Sequence, residues 1–214
     1  MKIAIIGASG WLGGEIAREA LTRGHLVTAI GRDRDRLAAI GDATAVEADV
    51  RNPDALRRAI AEHDVVVTSI TDRSGDDRSI IPDTTSLLLT VAPTVGVRRL
   101  AFVGGGGSLQ LDDGRRIVDV PDFPAEYRRE ALAQAESLQL LRERDDAIDW
   151  TYLSPPPAHL ERGPARGGFR VQAGDRPVRD AAGESRASSG DLAAAMLDEL
   201  EHPQFSKQRF TVGY

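Results

Sequence analysis

The chain has 214 residues, of which 41% are hydrophobic and 28% charged, a composition typical of one folded α/β domain and unlike that of a disordered chain. It contains no cysteine, which excludes disulfides, thiolate nucleophiles and cysteine metal sites. Its net charge of −6 argues against a nucleic-acid-binding surface, because such a surface needs a basic stripe.

Metal and membrane signals are also missing from the sequence. The four histidines, His25, His63, His159 and His202, are far apart and match no zinc spacing. The first residues lack the apolar region of a signal peptide, and no apolar run reaches transmembrane length. We therefore expect a soluble cytoplasmic protein, a monomer or homodimer, that binds no metal, membrane or nucleic acid.

Apolar runs alternate with helical patterns from the first residue onward. Strands are predicted at Lys2–Ile6, Leu26–Ile30, Thr44–Glu47, Val65–Ile70, Arg99–Val103 and Trp150–Leu153. Helices are predicted at Trp11–Arg23, Arg34–Ile40, Pro53–Glu62 and Ala125–Arg144, and within Ser79–Val95, where Pro82 and Pro93 leave the limits open. The alternation predicts a Rossmann-type, doubly wound, mainly parallel sheet with helices on both faces.

The last third of the chain has a different pattern. His159–Arg186 is rich in Gly, Pro and Arg, with a short strand predicted at Phe169–Gln172. Ser188 precedes the predicted helix Asp191–Glu201 in a pattern that resembles a capping box, and Arg209–Val212 reads as a terminal strand. We expect one domain over residues 1–214, with a small substrate lid formed by segments at about 108–127 and 155–190.

A glycine-rich loop follows the first predicted strand and opens the first predicted helix. Its sequence is Gly7-Ala8-Ser9-Gly10-Trp11-Leu12-Gly13, the spacing of a dinucleotide-binding turn. In such a turn the first glycine permits the bend, the second admits the pyrophosphate, and the third lets the helix pack on the sheet. We predict that Ser9, Trp11 and Leu12 also contact the cofactor. The alternative for the whole loop is a tight turn that binds nothing.

The ends of the next strands carry the other predicted cofactor contacts. Arg32 stands where an arginine accommodates the 2′-phosphate of NADP, so NADP(H) is expected and NAD(H) is possible; the alternative is a solvated surface charge. Asp49, followed by Val50, is placed to accept from the adenine amino group or to cap the next helix. The run Ser69-Ile70-Thr71 is expected beside the two riboses.

Together these residues resemble the short-chain dehydrogenase/reductase superfamily, in its atypical NAD(P)H-binding branch. The closer resemblance is to the NADH-flavin reductase group, near the biliverdin reductase B and NmrA-like proteins, and it covers nearly the whole chain. It is carried by Gly7–Gly13, by Gly31-Arg32-Asp33, by Gly104-Gly105-Gly106-Gly107-Ser108-Leu109, by Leu153-Ser154-Pro155-Pro156 and by the ending Arg209–Tyr214. The resemblance implies that Gly104 and Pro155 lie beside the nicotinamide.

One feature of the wider superfamily is missing. Its catalytic members pair a serine with a Tyr-x-x-x-Lys motif, in which the lysine lowers the tyrosine pKa for proton transfer. Here Ser108 and Tyr127 occupy the serine and tyrosine places, but Ala131 stands where the lysine belongs, and the chain has no lysine between Lys2 and Lys207. Ser108 and Tyr127 are the candidate catalytic residues, acting without that relay.

The missing lysine bears on which class of hydride acceptor is expected. A flavin or quinone spreads the charge that arrives with a hydride, whereas an isolated carbonyl needs an acid. We therefore expect an NADPH-preferring reductase of a flavin-like or quinone-like conjugated acceptor, with a non-catalytic NADP(H) sensor of the NmrA type as the alternative.

Overall fold

The computed structural model describes residues 1–72, 79–144 and 148–214. Within these ranges a large sheet contains β1 (Lys2–Ile6), β2 (Leu26–Gly31), β3 (Thr44–Glu47), β4 (Val65–Thr68), β5 (Arg99–Val103), β6 (Asp149–Ser154), β8 (Arg170–Ala173) and β10 (Gln208–Gly213). A separate pair is formed by β7 (His159–Glu161) and β9 (Arg186–Ser188). The helices are α1 (Trp11–Thr22), α2 (Arg34–Ala38), α3 (Pro53–Ile60), α4 (Ile80–Val91), α5 (Ala125–Glu143) and α6 (Ser189–Glu201).

The strands of the large sheet follow the order β3-β2-β1-β4-β5-β6-β10-β8. Neighbouring strands run parallel except for the last pair, in which β8 is antiparallel to β10. The predicted fold class, a doubly wound and mainly parallel sheet, is confirmed. The direction of winding reverses between β1 and β4, and ligands of such sheets bind outside the carboxyl ends of the strands at that reversal.

Alternation along β1 explains why the core has two halves. Ile3 and Ile5 point to one face and pack with the apolar sides of α1 and α6. Ala4 and Ile6 point to the other face and pack with α3, α4 and α5. Successive strand residues face opposite sides of a sheet, so a strand that is apolar throughout is buried between two helical layers. The two layers hold the strand ends, and the loops that follow them, in fixed positions.

Several boundaries differ from the sequence predictions. In α4, Pro82 lies in the first turn, where a missing N–H breaks no intrahelical bond, and the α-helix ends before Pro93 in a 3₁₀ turn. Helix α6 begins at Ser189, two residues earlier than predicted. The β7–β9 pair was not predicted, because three-residue strands inside a Gly- and Pro-rich segment carry no periodicity.

No helix in the described ranges has both the length and the apolar character that a membrane crossing requires. Within the same ranges, no group of three or more His, Asp or Glu side chains is arranged to hold a metal ion.

Candidate active site

The glycine loop joins β1 to α1 at the point where the sheet reverses. Gly7 has φ +81°, and a Cβ atom there would lie 2.2 Å from the carbonyl oxygen of Ser69, at the end of β4. A Cβ atom at Gly13 would lie 2.3 Å from the carbonyl oxygen of Gly7. Both distances are far below van der Waals contact, so the backbone can follow this path only with glycine at these positions.

The first turn of α1 is open. Among the described residues no side chain caps it, and Gly10 N–H closes the loop on the Gly7 carbonyl at 2.8 Å. Side chains cap α2, α3 and α6, namely Asp33, Asn52 and Ser188, whereas α5, like α1, has no side-chain cap among the described residues. An uncapped N-terminus directs backbone N–H groups and the positive end of the helix dipole at whatever lies before it, which favours a phosphate.

A cleft of about 520 Å³ extends from this loop along the ends of β1 to β4. Arg32 is exposed and lines the cleft, while the Asp33 carboxylate accepts from Arg36 N–H at 3.1 Å and so belongs to the cap of α2. The Arg36 guanidinium donates to the Ser9 carbonyl at 3.1 Å and fixes the glycine loop from outside. Arg32 and Arg36 therefore both line the cleft, and Arg36 is the one whose guanidinium is bound to the backbone of the glycine loop.

Asp49 lies on the far wall of the same cleft. Its carboxylate accepts from Arg51 N–H at 3.0 Å, and Asn52, rather than Asp49, caps α3 through Asp54 N–H and Ala55 N–H. The helix-cap alternative for Asp49 is therefore wrong.

A larger cavity of about 980 Å³ opens on the other side of β4. Its lining is mostly apolar and includes the face of α5 formed by Tyr127, Glu130, Ala131 and Gln134, which recur at the i, i+3, i+4, i+7 spacing of one helix side. The run Ser69–Thr71 lines both this cavity and the 520 Å³ cleft. The two spaces therefore meet at the end of β4.

The glycine run after β5 forms one wall of the cavity. A Cβ atom at Gly104 would lie 2.0 Å from the ring of Tyr152, whose hydroxyl donates to the Gln134 carbonyl at 2.9 Å. Burial raises the pKa of the Tyr152 hydroxyl to about 12, so it remains a neutral donor. Gly104 thus serves internal packing, and its lack of a side chain also leaves open the cavity that it lines.

The two candidate catalytic residues lie in different surroundings. Ser108 is buried, and both its hydroxyl and its carbonyl accept from the guanidinium of Arg209. It is not among the residues that line the cavity, whereas Tyr127 lines it and is 63% exposed. Contact of Ser108 with an acceptor stays a prediction, and its observed partner is Arg209.

Arg209 is a buried residue that sequence reasoning did not single out as part of the site. Its guanidinium pairs with Asp175 at 3.1 Å and lies 5.9 Å from the centre of the Tyr152 ring. Burial lowers its pKa, and Asp175 opposes that effect. The sequence does carry a signal for Arg209, which is its charge within an apolar terminal strand. A charge that is buried needs partners. Arg209 links the start of β10 to the loop after β5.

Glu130 has a perturbed carboxyl group. It is half-buried on the cavity side of α5, and its pKa is raised chiefly by burial and secondly by the nearby Asp72 carboxylate. Asp72 itself is paired with Arg129 at 2.5 Å. Glu130 was not among the site residues predicted from the sequence, although its place on the same helical face as Tyr127 was a signal for it.

The segment 155–190 contributes residues to the lining of the large cavity, among them Pro155, His159 and Arg179. The Arg162 guanidinium lies 4.2 Å from the centre of the Trp11 ring in the glycine loop. A few residues further along, the segment is held by Asp191 of α6, which accepts from Arg166 N–H at 3.0 Å and from Gly167 N–H at 2.8 Å. The predicted lid segment is therefore attached to both the loop and the last helix.

Most predicted cofactor residues are brought together. Those that line the clefts or the cavity are Gly7, Ser9, Gly10, Trp11, Leu12, Arg32, Asp49, Val50, Ser69, Ile70, Thr71, Gly104 and Pro155. Gly13 instead packs beneath the loop against Gly7.

Comparison with known proteins is consistent with this geometry. A family model described as NAD(P)H-binding matches residues 7–203. The uncharacterised protein YwnB of Bacillus subtilis is 39% identical over 214 residues, which cover 99% of this chain and 98% of YwnB.

Two solved structures extend the similarity to the fold. A candidate NADH-flavin reductase from Streptococcus pneumoniae is 30% identical with a TM-score of 0.87, covering 100% of this chain and 99% of that one. A candidate epimerase from Bacteroides thetaiotaomicron is 33% identical with a TM-score of 0.88, covering 100% of this chain and 96% of that one.

Proposed function

This chain belongs to the NAD(P)H-binding family, and from that premise we propose that it is an NADPH-preferring reductase of a flavin-like or quinone-like acceptor. The observation that carries the proposal is the junction at Ser69–Thr71, where the cleft beside the glycine loop meets the large apolar cavity. A cofactor laid along the cleft would end where the cavity begins. An extended ring system in the cavity would then face the nicotinamide.

The residues present fit a dinucleotide. Side chains at Gly7 and Gly13 would block the loop, and the first turn of α1 is uncapped among the described residues. The loop and that turn would hold the pyrophosphate, Arg32 the 2′-phosphate, and Asp49 the adenine. When bound, NAD(P)H supplies a hydride from its nicotinamide ring. Gly104 and Pro155 would border that ring, because both line the cavity.

The shape and chemistry of the cavity support a conjugated acceptor. Its lining is mostly apolar, and the position four residues after Tyr127 holds the buried Ala131 instead of a lysine. A flat ring system gains affinity from apolar burial and spreads the charge that comes with the hydride. An isolated ketone would lack the tyrosine–lysine relay. The similarity to a candidate epimerase does not favour an epimerase activity, because the tyrosine–lysine pair is missing from this chain.

Steady-state turnover tests the proposal. Purified protein is mixed with NADPH and, in turn, FMN, FAD and a set of quinones, and cofactor oxidation is followed by absorbance. We expect turnover with at least one conjugated acceptor and none with simple aldehydes or ketones. Binding of NADPH without oxidation by any acceptor would reject the reductase.

The missing lysine favours one second candidate, a redox sensor that binds NADP(H) without turning it over. The sensor predicts the outcome just described, tight binding without hydride transfer, together with a protein partner recovered only when the cofactor is bound. Oxidation of NADPH by an acceptor therefore distinguishes the reductase from the sensor.

A further inference from the structure

We propose that Glu130 donates the proton that accompanies hydride transfer in the acceptor cavity. This inference rests on the proposed reductase function and names the source of the proton that completes reduction of the conjugated acceptor. Glu130 lines the cavity from α5, on the same helical face as Tyr127 and Gln134.

Its position on α5 is close to the junction of the two spaces. Gln134, one turn further along α5, donates to the Ile70 carbonyl at 3.2 Å, and Ile70 lines both the cofactor cleft and the cavity. Residues four apart on a helix have neighbouring side chains. Glu130 is therefore about one helical turn from the contact that joins α5 to the end of β4, where hydride transfer is proposed.

The Glu130 carboxyl group has the properties of a proton donor. It is half-buried, and within the described residues it makes no hydrogen bond or ion pair. Burial, first, and the Asp72 carboxylate, second, both favour its protonated form and raise its pKa. Asp72 is held by Arg129, so the neighbouring charge is fixed in place.

Other titratable or charged groups face the same cavity. Tyr127 lies on the same face of α5, and the remaining walls contribute Asp122, His159, Arg179 and Glu184. His159 and Glu184 lie 3.3 Å apart and so interact with each other. Tyr127 is the main competitor for proton donation, because it shares the α5 face but is largely exposed.

The proposed step balances. The acceptor gains a hydride, which carries two electrons, from the reduced cofactor and a proton from the Glu130 carboxyl group. The products are the fully reduced acceptor, the oxidised cofactor and a Glu130 carboxylate. The carboxylate regains its proton from water that enters through the open side of the cavity. A positioned acid of this kind typically contributes about 10²- to 10⁴-fold to the rate.

Single-turnover kinetics across pH provide the test, with an active acceptor from the flavin and quinone set. For the wild type we expect the rate of NADPH oxidation to fall as pH rises through the Glu130 pKa. Glu130→Gln should lower the rate at least tenfold below that pKa and remove the pH-dependent decline. Glu136→Gln, an exposed glutamate on the same helix, should keep the wild-type profile. The NADPH Kd should be unchanged in both variants.

A measurement without turnover checks the protonation state. The pKa of Glu130 is raised in the fold, so its neutral form is favoured there, and the wild type should lose stability as pH rises through that pKa. The Tm of Glu130→Gln, which mimics the neutral form, should exceed that of the wild type above the pKa and match it below the ordinary glutamate pKa.

The outcomes are distinct. A Glu130→Gln rate profile like that of Glu136→Gln, or loss of the profile in Tyr127→Phe instead, overturns the role of Glu130 and leaves the reductase standing. Absence of wild-type turnover with every acceptor overturns both. A reduced rate with an unchanged pH profile also overturns proton donation, because it indicates a packing effect only.

Discussion

Single atoms decide what the glycine loop can hold. A Cβ atom at Gly7 or Gly13 would meet a backbone oxygen at 2.2 or 2.3 Å, so the loop cannot carry side chains there. The positions of these glycines in the loop and of Arg32 beside the cleft could be predicted from the sequence, because the motif and the position after β2 carry their own local geometry. The pairing of Ser108 with Arg209 could not, since the two are 101 positions apart and meet only after β10 docks beside β6.

The proposed preference for NADPH over NADH depends on Arg32. Replacing it in Arg32→Ala should raise the Kd of NADPH about tenfold to a hundredfold, the range expected for losing a hydrogen bond to a charged group. The Kd of NADH, which lacks the 2′-phosphate, should change little. Fluorescence titration of both cofactors measures this. Arg34→Ala, an exposed arginine of α2 outside the cleft lining, is the control, and equal losses for NADPH and NADH would refute the assignment.

Helix α6 shows how one element can organise a distant segment. The sequence predicts a capping box at Ser188 and Asp191, and Asp191 N–H does donate to the Ser188 hydroxyl at 3.0 Å. The reciprocal half is not made, because Ser188 N–H donates to the Tyr214 hydroxyl. The Asp191 carboxylate is thereby free to bind the amides of Arg166 and Gly167. Capping patterns describe local bonds, so this long-range use was not predictable.

The bonds from Arg166 N–H and Gly167 N–H to the Asp191 carboxylate, here called the Asp191 clamp, lead to a prediction about stability. Burial alone would raise the Asp191 pKa, but hydrogen bonds from Tyr214, Gly167, Ser188 and Arg166 outweigh it and the pKa is lowered. A depressed carboxyl pKa contributes stability above the ordinary aspartate value and loses it as pH falls through the folded value. Asp191→Asn should therefore lose about 2 kcal/mol near neutral pH.

The difference between wild type and Asp191→Asn should shrink on acidification. Urea unfolding at several pH values measures it. Asp198→Asn, which affects a largely exposed ion pair of the same helix with Arg23, should cost less than about 1 kcal/mol. A loss at Asp191 that is equally small, or that grows at low pH, would contradict the clamp.

At the scale of the whole molecule, strand order creates the site. Alternating strands and helices predicted the fold class, and the family resemblance is confirmed by the match over residues 7–203. The position of β10 between β6 and β8, and the antiparallel edge it creates, follow from tertiary packing and not from any local pattern. The large cavity is likewise a product of that packing, because its walls come from distant segments of the chain.

The central claim is that the loop at this reversal of the sheet holds a dinucleotide. Isothermal titration of the wild type with NADPH and NADH tests it most directly, with Gly13→Ala as the blocked loop and Gly163→Ala, where a Cβ would meet nothing within 4 Å, as the control. We predict saturable binding with NADPH tighter than NADH, lost in Gly13→Ala and kept in Gly163→Ala. No measurable heat or saturation with either nucleotide in the folded wild type would contradict the account.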